Sequence, residues 1–495
     1  MTLGELKASG YRTIPVKEEM RRNLIRKIQA GEEIFPGIIG YDQTVIPQLE
    51  NAILSRHDFI LLGLRGQAKS RILRQLPSLL DERIPTLEGC PIHDDPFRPY
   101  CAYCRRLLRE RGDQAPIRWL TREERYHEKL ATPDVTIADL IGDIDPIKAS
   151  REQLDLSDEE VIHYGIIPRT NRGIFAINEL PDLQPRIQVG LLNIMEERDL
   201  QIRGFPLRLP LDILIVYTAN PEDYTNRGNI ITPLKDRIDS QIMTHYPTTI
   251  EQAMRITEQE AWQERDRDLP VPRLFRELIE EITFTARESE YVDQNSGVSA
   301  RMSISSLENL LSNMEKRALR TGEKTVYPRI CDVYAVLPSM TGKMELVYEG
   351  EKEGAVSVAI QIIGQAVKRV FNRYFPKVPR QEGERERRGR RREDFSLDYR
   401  PASSPYDDIS SFFQSGGKVE LSDEMPFADY FRELRRVPDL ESLARQYLNP
   451  RDHYELAGGM EFLLEGLHQH ALVAKESLTA AVRYRDVLAS VFKEL

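Results

Sequence analysis

The sequence predicts an α/β protein, in which a parallel-sheet core over residues 36–247 is followed by a small helical domain over 248–346 and a C-terminal helical region. Three observations predict it. The runs DFILLGL (58–64), GIFAINEL (173–180) and DILIVYTAN (212–220) are apolar without polar alternation, as strands buried on both faces are. Amphipathic helical stretches alternate with these runs, which calls for a parallel sheet with crossover helices. From Thr248 the long apolar runs give way to helical periodicity, as in LFRELIEEITFTARE and SISSLENLLSNMEKRAL.

Residues 1–35 read as a polar, helical N-terminal segment. The first apolar run then leads into Gly63-Leu64-Arg65-Gly66-Gln67-Ala68-Lys69-Ser70, a glycine-rich turn that closes on a lysine and a hydroxyl. That is the layout of a phosphate-binding loop. Backbone N–H groups of such a loop cradle phosphate oxygens, the lysine meets the β- and γ-phosphates, and the hydroxyl ligates Mg²⁺. In the G-x-x-x-x-G-K-[ST] spacing, Ala68 stands where a second glycine belongs, a position that often needs close backbone approach or an unusual dihedral. Taken alone, the segment is also open to a plain strand–turn–helix reading.

Within an insertion near 85–116, Cys90, His93, Cys101 and Cys104 are spaced C-x2-H-x7-C-x2-C. Two ligand pairs, each two residues apart, fit a tetrahedral Cys₃His zinc site with no open coordination position, hence a structural one. Incidental thiols or an oxidised pair are the competing readings, the latter disfavoured in a reducing compartment. Cys331, distant in sequence, reads as core.

The second apolar run ends in Asn178-Glu179. In phosphate-loop ATPases such a strand delivers an acid that holds Mg²⁺ and then a glutamate that polarises the attacking water. Asn178 offers an amide oxygen without charge, and Glu179 remains for the base role. A helix is expected over Gln188–Glu196, then a hairpin over 200–209 turning about Gly204. The third run ends in Thr218-Ala219-Asn220-Pro221, where Asn220 can sense the γ-phosphate. In Pro233-Leu-Lys-Asp236-Arg237, the arginine can reach a neighbouring subunit's nucleotide as an arginine finger. In Ser296-Gly-Val-Ser-Ala-Arg301, Arg301 can close onto phosphates.

Beyond the helical domain, 347–375 is expected as one amphipathic helix, 376–425 as a flexible charged linker, and 426–495 as C-terminal helices. The linker's basic run RQEGERERRGRRRED interleaves glutamates and lacks aromatics, so it reads as a solvated segment rather than a nucleic-acid surface. With 69 Lys and Arg against 79 Asp and Glu, the net charge of −10 argues against a chain built to coat nucleic acid. No apolar run reaches the roughly 18 residues of a membrane span, and the N-terminus lacks a signal-peptide core, so a cytoplasmic protein is expected.

In this order GLRGQAKS, GIFAINEL, TANP, LKDRID and GVSARMS resemble an AAA+ ATPase. With the approach sequence FPGIIGYDQTVIPQLENAILSRHDFILLG and the segments from Asp139 to Asp145 and Tyr164 to Gly173, the chain is similar to the helix-2-insert clade, specifically its magnesium-chelatase ATPase-subunit and MoxR-like group. The resemblance covers about residues 30–345. It implies ATP and Mg²⁺ as cofactors, a helix-2 insert near 145–168, and 200–209 as the pre-sensor-1 hairpin. Lys69 and Ser70 match the Walker A lysine and hydroxyl, and Asn178 and Glu179 the Walker B pair. Asn220 matches sensor 1, Arg237 the trans-acting finger and Arg301 sensor 2, while Ile39 and Gly40 sit where the family lines the adenine pocket. It further implies a homo-oligomeric ring, a hexamer, working with a von Willebrand factor A-domain partner in remodelling or metal insertion. Ala68 and Asn178 depart from the pattern, which leaves open a nucleotide-binding scaffold or switch with little hydrolysis. A true magnesium-chelatase motor subunit is the third reading.

Overall fold

The computed structural model of the chain describes every residue except 156–157, 198, 203–207, 222–228, 379–403, 478–480 and 488–495. The chain divides into two units, Met1–Tyr246 and Pro247–Leu495. Among the described residues no helix is long and apolar enough to cross a membrane.

The strands of the first unit are β1 (Phe59–Leu62), β2 (Arg83–Leu87), β3 (Ile117–Thr121), β4 (Tyr126–Leu130), β5 (Gly142–Ile144), β6 (Ile162–Tyr164), β7 (Gly173–Asn178), β8 (Asp199–Gln201), β9 (Arg208–Pro210), β10 (Ile213–Ala219) and β11 (Ser240–Met243). Five of them form one sheet in the order β11-β1-β10-β7-β4, with every neighbouring pair parallel. Successive side chains of a strand point to opposite faces. Ile60, Phe175, Ile215 and Tyr217 therefore enter one buried cluster, and Phe59, Leu61, Ile174 and Val216 the other. Burial on both faces is why these runs carry no polar alternation. β4 is the exception: its Tyr-His-Glu-Lys-Leu is half-exposed at the sheet's edge and had no apolar run to announce it.

Short antiparallel pairs decorate this sheet. β2 and β3 bracket the cysteine-bearing insertion, β5 and β6 bracket most of the expected helix-2 insert, and β8 pairs with β9. Gly204, about which the last hairpin is expected to turn, lies outside the described residues. The N-terminal segment forms helices Leu3–Ala8 and Val16–Ala30 that belong to this unit's core. Buried Glu19 receives both Arg125 guanidinium nitrogens at 2.8 and 2.6 Å, and Arg125 Nε donates to the Arg172 carbonyl at 2.8 Å. Removing one partner of so buried a pair would leave an uncompensated charge.

The second unit departs from four expectations. The helical segment 248–346 is not a free-standing domain, because one buried cluster runs from Val271 through Leu310, Ile362 and Leu463 to Tyr484. Buried polar groups lock the halves together: Glu461 in the helix His453–Gln469 accepts from the Ile330 N–H at 2.9 Å and the Tyr430 hydroxyl at 2.8 Å. The single helix expected over 347–375 is two, Tyr348–Glu353 and Ala355–Tyr374, parted at Gly354 with φ of 87°. The expected linker is shorter than 376–425. Residues 404–425 contain a helix, Asp407–Gln414, and β12 (Val419–Ser422), with Tyr406, Ile409 and Phe413 buried. Nor are 426–495 all helical. The helix ends at Gln469, Ala471 takes a left-handed φ of 58°, and β13 (Ala474–Ser477) and β14 (Ala481–Arg485) follow. These strands complete an antiparallel sheet, β12-β14-β13, over Glu465, which accepts from Lys475 at 2.8 Å and from the Tyr484 hydroxyl at 2.9 Å. The helical period of the sequence gave no sign of this, because the pairing partner β12 lies some distance upstream.

Candidate functional site

Register gathers the expected residues. Leu62 of β1 pairs with Ala219 of β10, Tyr217 of β10 with Ile177 of β7, and Asn178 of β7 with Leu130 of β4. The loop from Gly63, the pair Asn178–Glu179 and Asn220 thus all leave the sheet at its carboxyl edge, where open α/β sheets hold their ligands.

The loop is braced from behind. Thr244, just past β11, donates its hydroxyl to buried Gln67 Oε1 at 2.7 Å, and the Tyr246 hydroxyl donates to the Arg65 carbonyl at 2.9 Å. Tyr41 Oη lies 3.0 Å from the Gln67 carbonyl, and Ile39 and Gly40 precede it in the chain. Position 63 has to be glycine, since a Cβ there would stand 1.9 Å from Thr244 Oγ1. Ala68 takes φ 56° and ψ 11°, the left-handed conformation that glycine adopts freely and that costs an L-residue about 1–2 kcal/mol. The loop therefore keeps its shape without its second glycine. Lys69, 7% exposed, donates Nζ to the carbonyls of Gly63 and Leu64, the latter at 2.9 Å. Ser70 is half-buried in the helix Lys69–Leu73 that follows.

At the end of β7 the missing acid has a counterpart on the next strand. Asn178 donates its amide to the carboxylate of Glu128 on β4, and its Oδ1 accepts from the Thr218 hydroxyl at 3.1 Å. Arg74, four residues beyond Ser70 and so on the same helical face, clamps Glu128 with two bonds of 2.8 and 3.0 Å. The Arg74 clamp holds the Glu128 carboxyl below the usual range, with Asn178 contributing further. An aspartate at 178 would set two carboxylates against each other, so the amide at 178 and the acid at 128 suit one another. Glu179 sits at φ 56°, and its N–H donates to Thr218 Oγ1 at 3.1 Å. Strain of this kind, of order 1–3 kcal/mol, concentrates at functional sites. Sequence reasoning missed Glu128, Arg74 and Thr218; only Thr218, inside a quoted motif, carried any signal.

Arg237 ends the helix Thr232–Arg237, three residues before Ser240 opens β11, with Nη1 donating to the Pro233 carbonyl at 2.9 Å. Ser240 pairs with Phe59, the first residue of β1, so Arg237 stands at the amino edge, away from the loop of residues 63–70. Arg301 opens the helix Arg301–Thr321 of the second unit and is exposed.

Cys90, Cys101 and Cys104 come together, as their spacing predicts, and none is in a disulfide. The fourth group beside them is Asp94: its carboxylate oxygen and the three sulfurs lie within 4.8 Å of one another, a set that does not include His93. The reason is local. Asp94 donates its N–H to Cys90 Sγ at 3.2 Å and accepts at Oδ2 from the Tyr100 and Cys101 N–H groups, whereas His93 takes the left-handed turn position, φ 52°.

No family model matches the chain. Among solved structures it is similar to a protein of Cytophaga hutchinsonii assigned as an ATPase, at 17% identity over 72% of this chain and 97% of that one, TM-score 0.31. It is similar to NtrX from Brucella abortus in complex with ATP, at 14% identity over 58% of this chain and 52% of that one, TM-score 0.32. The chain is also similar to a complex of the BchI and BchD subunits of magnesium chelatase, at 19% identity over 64% of this chain and 98% of that one, TM-score 0.33.

Proposed function

We propose that the chain is an ATPase of the AAA+ kind, which binds ATP with Mg²⁺ at the carboxyl edge of the sheet and uses hydrolysis for conformational work on a partner protein. The observation that carries this reading is the register that brings Lys69 and Ser70, Asn178 and Glu179, and Asn220 to one edge.

The side chains present fit both ligands. Oxygen donors suit a hard cation, and Ser70, Asn178 and Glu128 supply a hydroxyl, an amide oxygen and a carboxylate. Bound Mg²⁺ neutralises charge on the β- and γ-phosphate oxygens. Lys69 leaves its loop carbonyls to meet those phosphates. Glu179 polarises water, with Thr218 fixing its backbone, and Asn220 senses the γ-phosphate. Glu128 contributes the negative charge that Asn178 lacks. Arg237, at the opposite edge, serves a neighbouring subunit's nucleotide, which requires a ring, and Arg301 keeps the sensor-2 role that the resemblance implies. A hexamer, a von Willebrand factor A-domain partner and remodelling or metal insertion complete this reading; magnesium insertion into a tetrapyrrole is its narrower form.

The test is steady-state ATP hydrolysis by the full chain alongside Glu179→Gln. Turnover lost in the variant with ATP binding kept supports the motor, and absence of ATP binding in the parent chain overturns it. Tight binding without turnover in either protein supports the second reading, a nucleotide switch, which the uncharged Asn178 and the strained Ala68 favour.

A further inference from the structure

We propose that Cys90, Asp94, Cys101 and Cys104 form a structural Zn²⁺ site in which Asp94, and not His93, is the fourth ligand. The inference is independent of the nucleotide site.

Geometry comes first. Four ligand atoms within 4.8 Å of one another surround a single point, and tetrahedral zinc with Zn–S bonds of about 2.3 Å needs sulfur–sulfur edges of about 3.8 Å, a small contraction. Burial comes second. Asp94 and Cys104 are 0% exposed and Cys101 1%. Asp94 Oδ1 is buried without a hydrogen-bond partner, although its other oxygen takes two backbone N–H groups, from Tyr100 at 3.0 Å and Cys101 at 2.9 Å. Leaving a carboxylate oxygen so placed costs about 1–3 kcal/mol or more, and a cation among three sulfurs supplies the missing partner.

The surroundings are those of a ligand shell held in place from outside. The Asp94 N–H donates to Cys90 Sγ at 3.2 Å and the Cys104 N–H to Cys101 Sγ at 3.4 Å, both favouring thiolates. Buried Arg172 donates to the Asp94 carbonyl at 3.3 Å, placing a positive charge beside an anionic site. His93 is the rival, since its Nδ1 is also buried without a partner, but its ring lies outside the four-atom group.

The site staples the segment after β2 to the helix Ala102–Arg111. That helix grips the turn Glu159–Val161 beside β6: the Ala102 N–H donates to Glu159 at 2.8 Å, Arg105 pairs with Glu159, and Arg106 pairs with Glu160. Metal at the cluster therefore steadies the β5–β6 excursion.

Metal content of the purified full chain, with Co²⁺ exchange to read the ligands, tests this. One equivalent of zinc is expected, with a thiolate-to-cobalt charge-transfer band after exchange. His93→Ala keeps both, while Asp94→Ala keeps the thiolate band but binds more than about tenfold more weakly, since losing a ligand costs more than losing a ligand's outer hydrogen-bond partner. Loss of zinc from a folded His93→Ala chain overturns the assignment, even if Asp94→Ala fails to fold. So does a parent chain carrying iron with sulfide, a disulfide, or well under one equivalent of metal. Chelation is expected to speed hydrogen exchange in 102–111 and 142–164; unchanged exchange removes the staple.

Discussion

At the carboxyl edge of the sheet the functional side chains rest on protein partners, whereas the thiol cluster keeps a buried carboxylate oxygen with none. Lys69 sits on the Gly63 and Leu64 carbonyls, and Asn178 bridges Glu128 and Thr218. In the cluster, Asp94 Oδ1 is buried with no hydrogen-bond partner, and a carboxylate oxygen of Asp94 lies within 4.8 Å of three sulfurs. In the proposed reading the sheet edge binds and releases its ligand and has to be stable in both states, and these internal partners would stand in for phosphate and metal. A permanently filled site needs no stand-in, and its polar atoms are satisfied only when the ion is present.

The comparison can be broken most directly at Thr218. Thr218→Val removes the hydroxyl shared by Asn178 and Glu179 and leaves the Glu179 N–H without its acceptor, a loss of about 1–3 kcal/mol. Turnover is expected to fall about tenfold or more while ATP affinity changes little and zinc content stays the same, as read by single-turnover kinetics, nucleotide titration and metal analysis. A parallel loss of zinc would show that the two regions are not independent.

Next comes Glu128→Gln, expected to weaken Mg²⁺-dependent ATP binding by about tenfold, worth 1.4 kcal/mol, while leaving Mg²⁺-free binding alone. Adding Asn178→Asp returns the carboxylate on the other strand and should restore the Mg²⁺ dependence in calorimetric titrations. If Glu128 serves only as a strut for Arg74, the single variant changes stability alone and the double variant rescues nothing.

Smaller still is Ala68→Gly. It relieves the left-handed strain but loosens the unfolded chain, and the two effects leave a net gain of under about 1 kcal/mol in thermal unfolding.

The smallest effect is the pH response of the Arg74–Glu128 clamp. Its carboxyl lies lower in the folded chain than its ordinary value of 4.5, so the stabilisation is present above that pH and is lost as pH falls through the folded value. The urea midpoint difference between the parent chain and Glu128→Gln should therefore be present at neutral pH and vanish in acid. For an exposed arginine the difference is a few tenths of a kcal/mol.

Legibility followed the same division. The glycine-rich loop closing on Lys69-Ser70, the strand ending in Asn178-Glu179 and the strand ending at Asn220 were readable because a doubly buried strand and a glycine-rich turn each leave a local pattern. β4 left none: Tyr126–Leu130 is a half-exposed edge strand, so Glu128 could not be picked from the chain's other acids. In the cluster the cysteine spacing was readable, but His93 and Asp94 are adjacent and spacing cannot tell them apart. The choice was made by a backbone turn at His93 and by N–H groups of Tyr100 and Cys101. In the second unit the helical period was readable over 248–375 and again up to Gln469, but the helix Asp407–Gln414, β12 and the strands after Gln469 were not.

By itself the sequence determined what is local: the buried strands from their unbroken apolar runs, the loop from its glycines and Lys69-Ser70, and the gathering of thiols from the two-residue spacing of Cys101 and Cys104. Tertiary structure alone decided what depends on partners distant in the chain. It set Glu128 against Asn178 by strand register, turned Asp94 toward the sulfurs, joined the helical segment to the C-terminal helices through Glu461, and paired β12 with β14. The physical reason is that periodicity and turn chemistry act over a few residues. Strand pairing and the satisfaction of buried polar groups act across the fold, and no short window of sequence contains both partners.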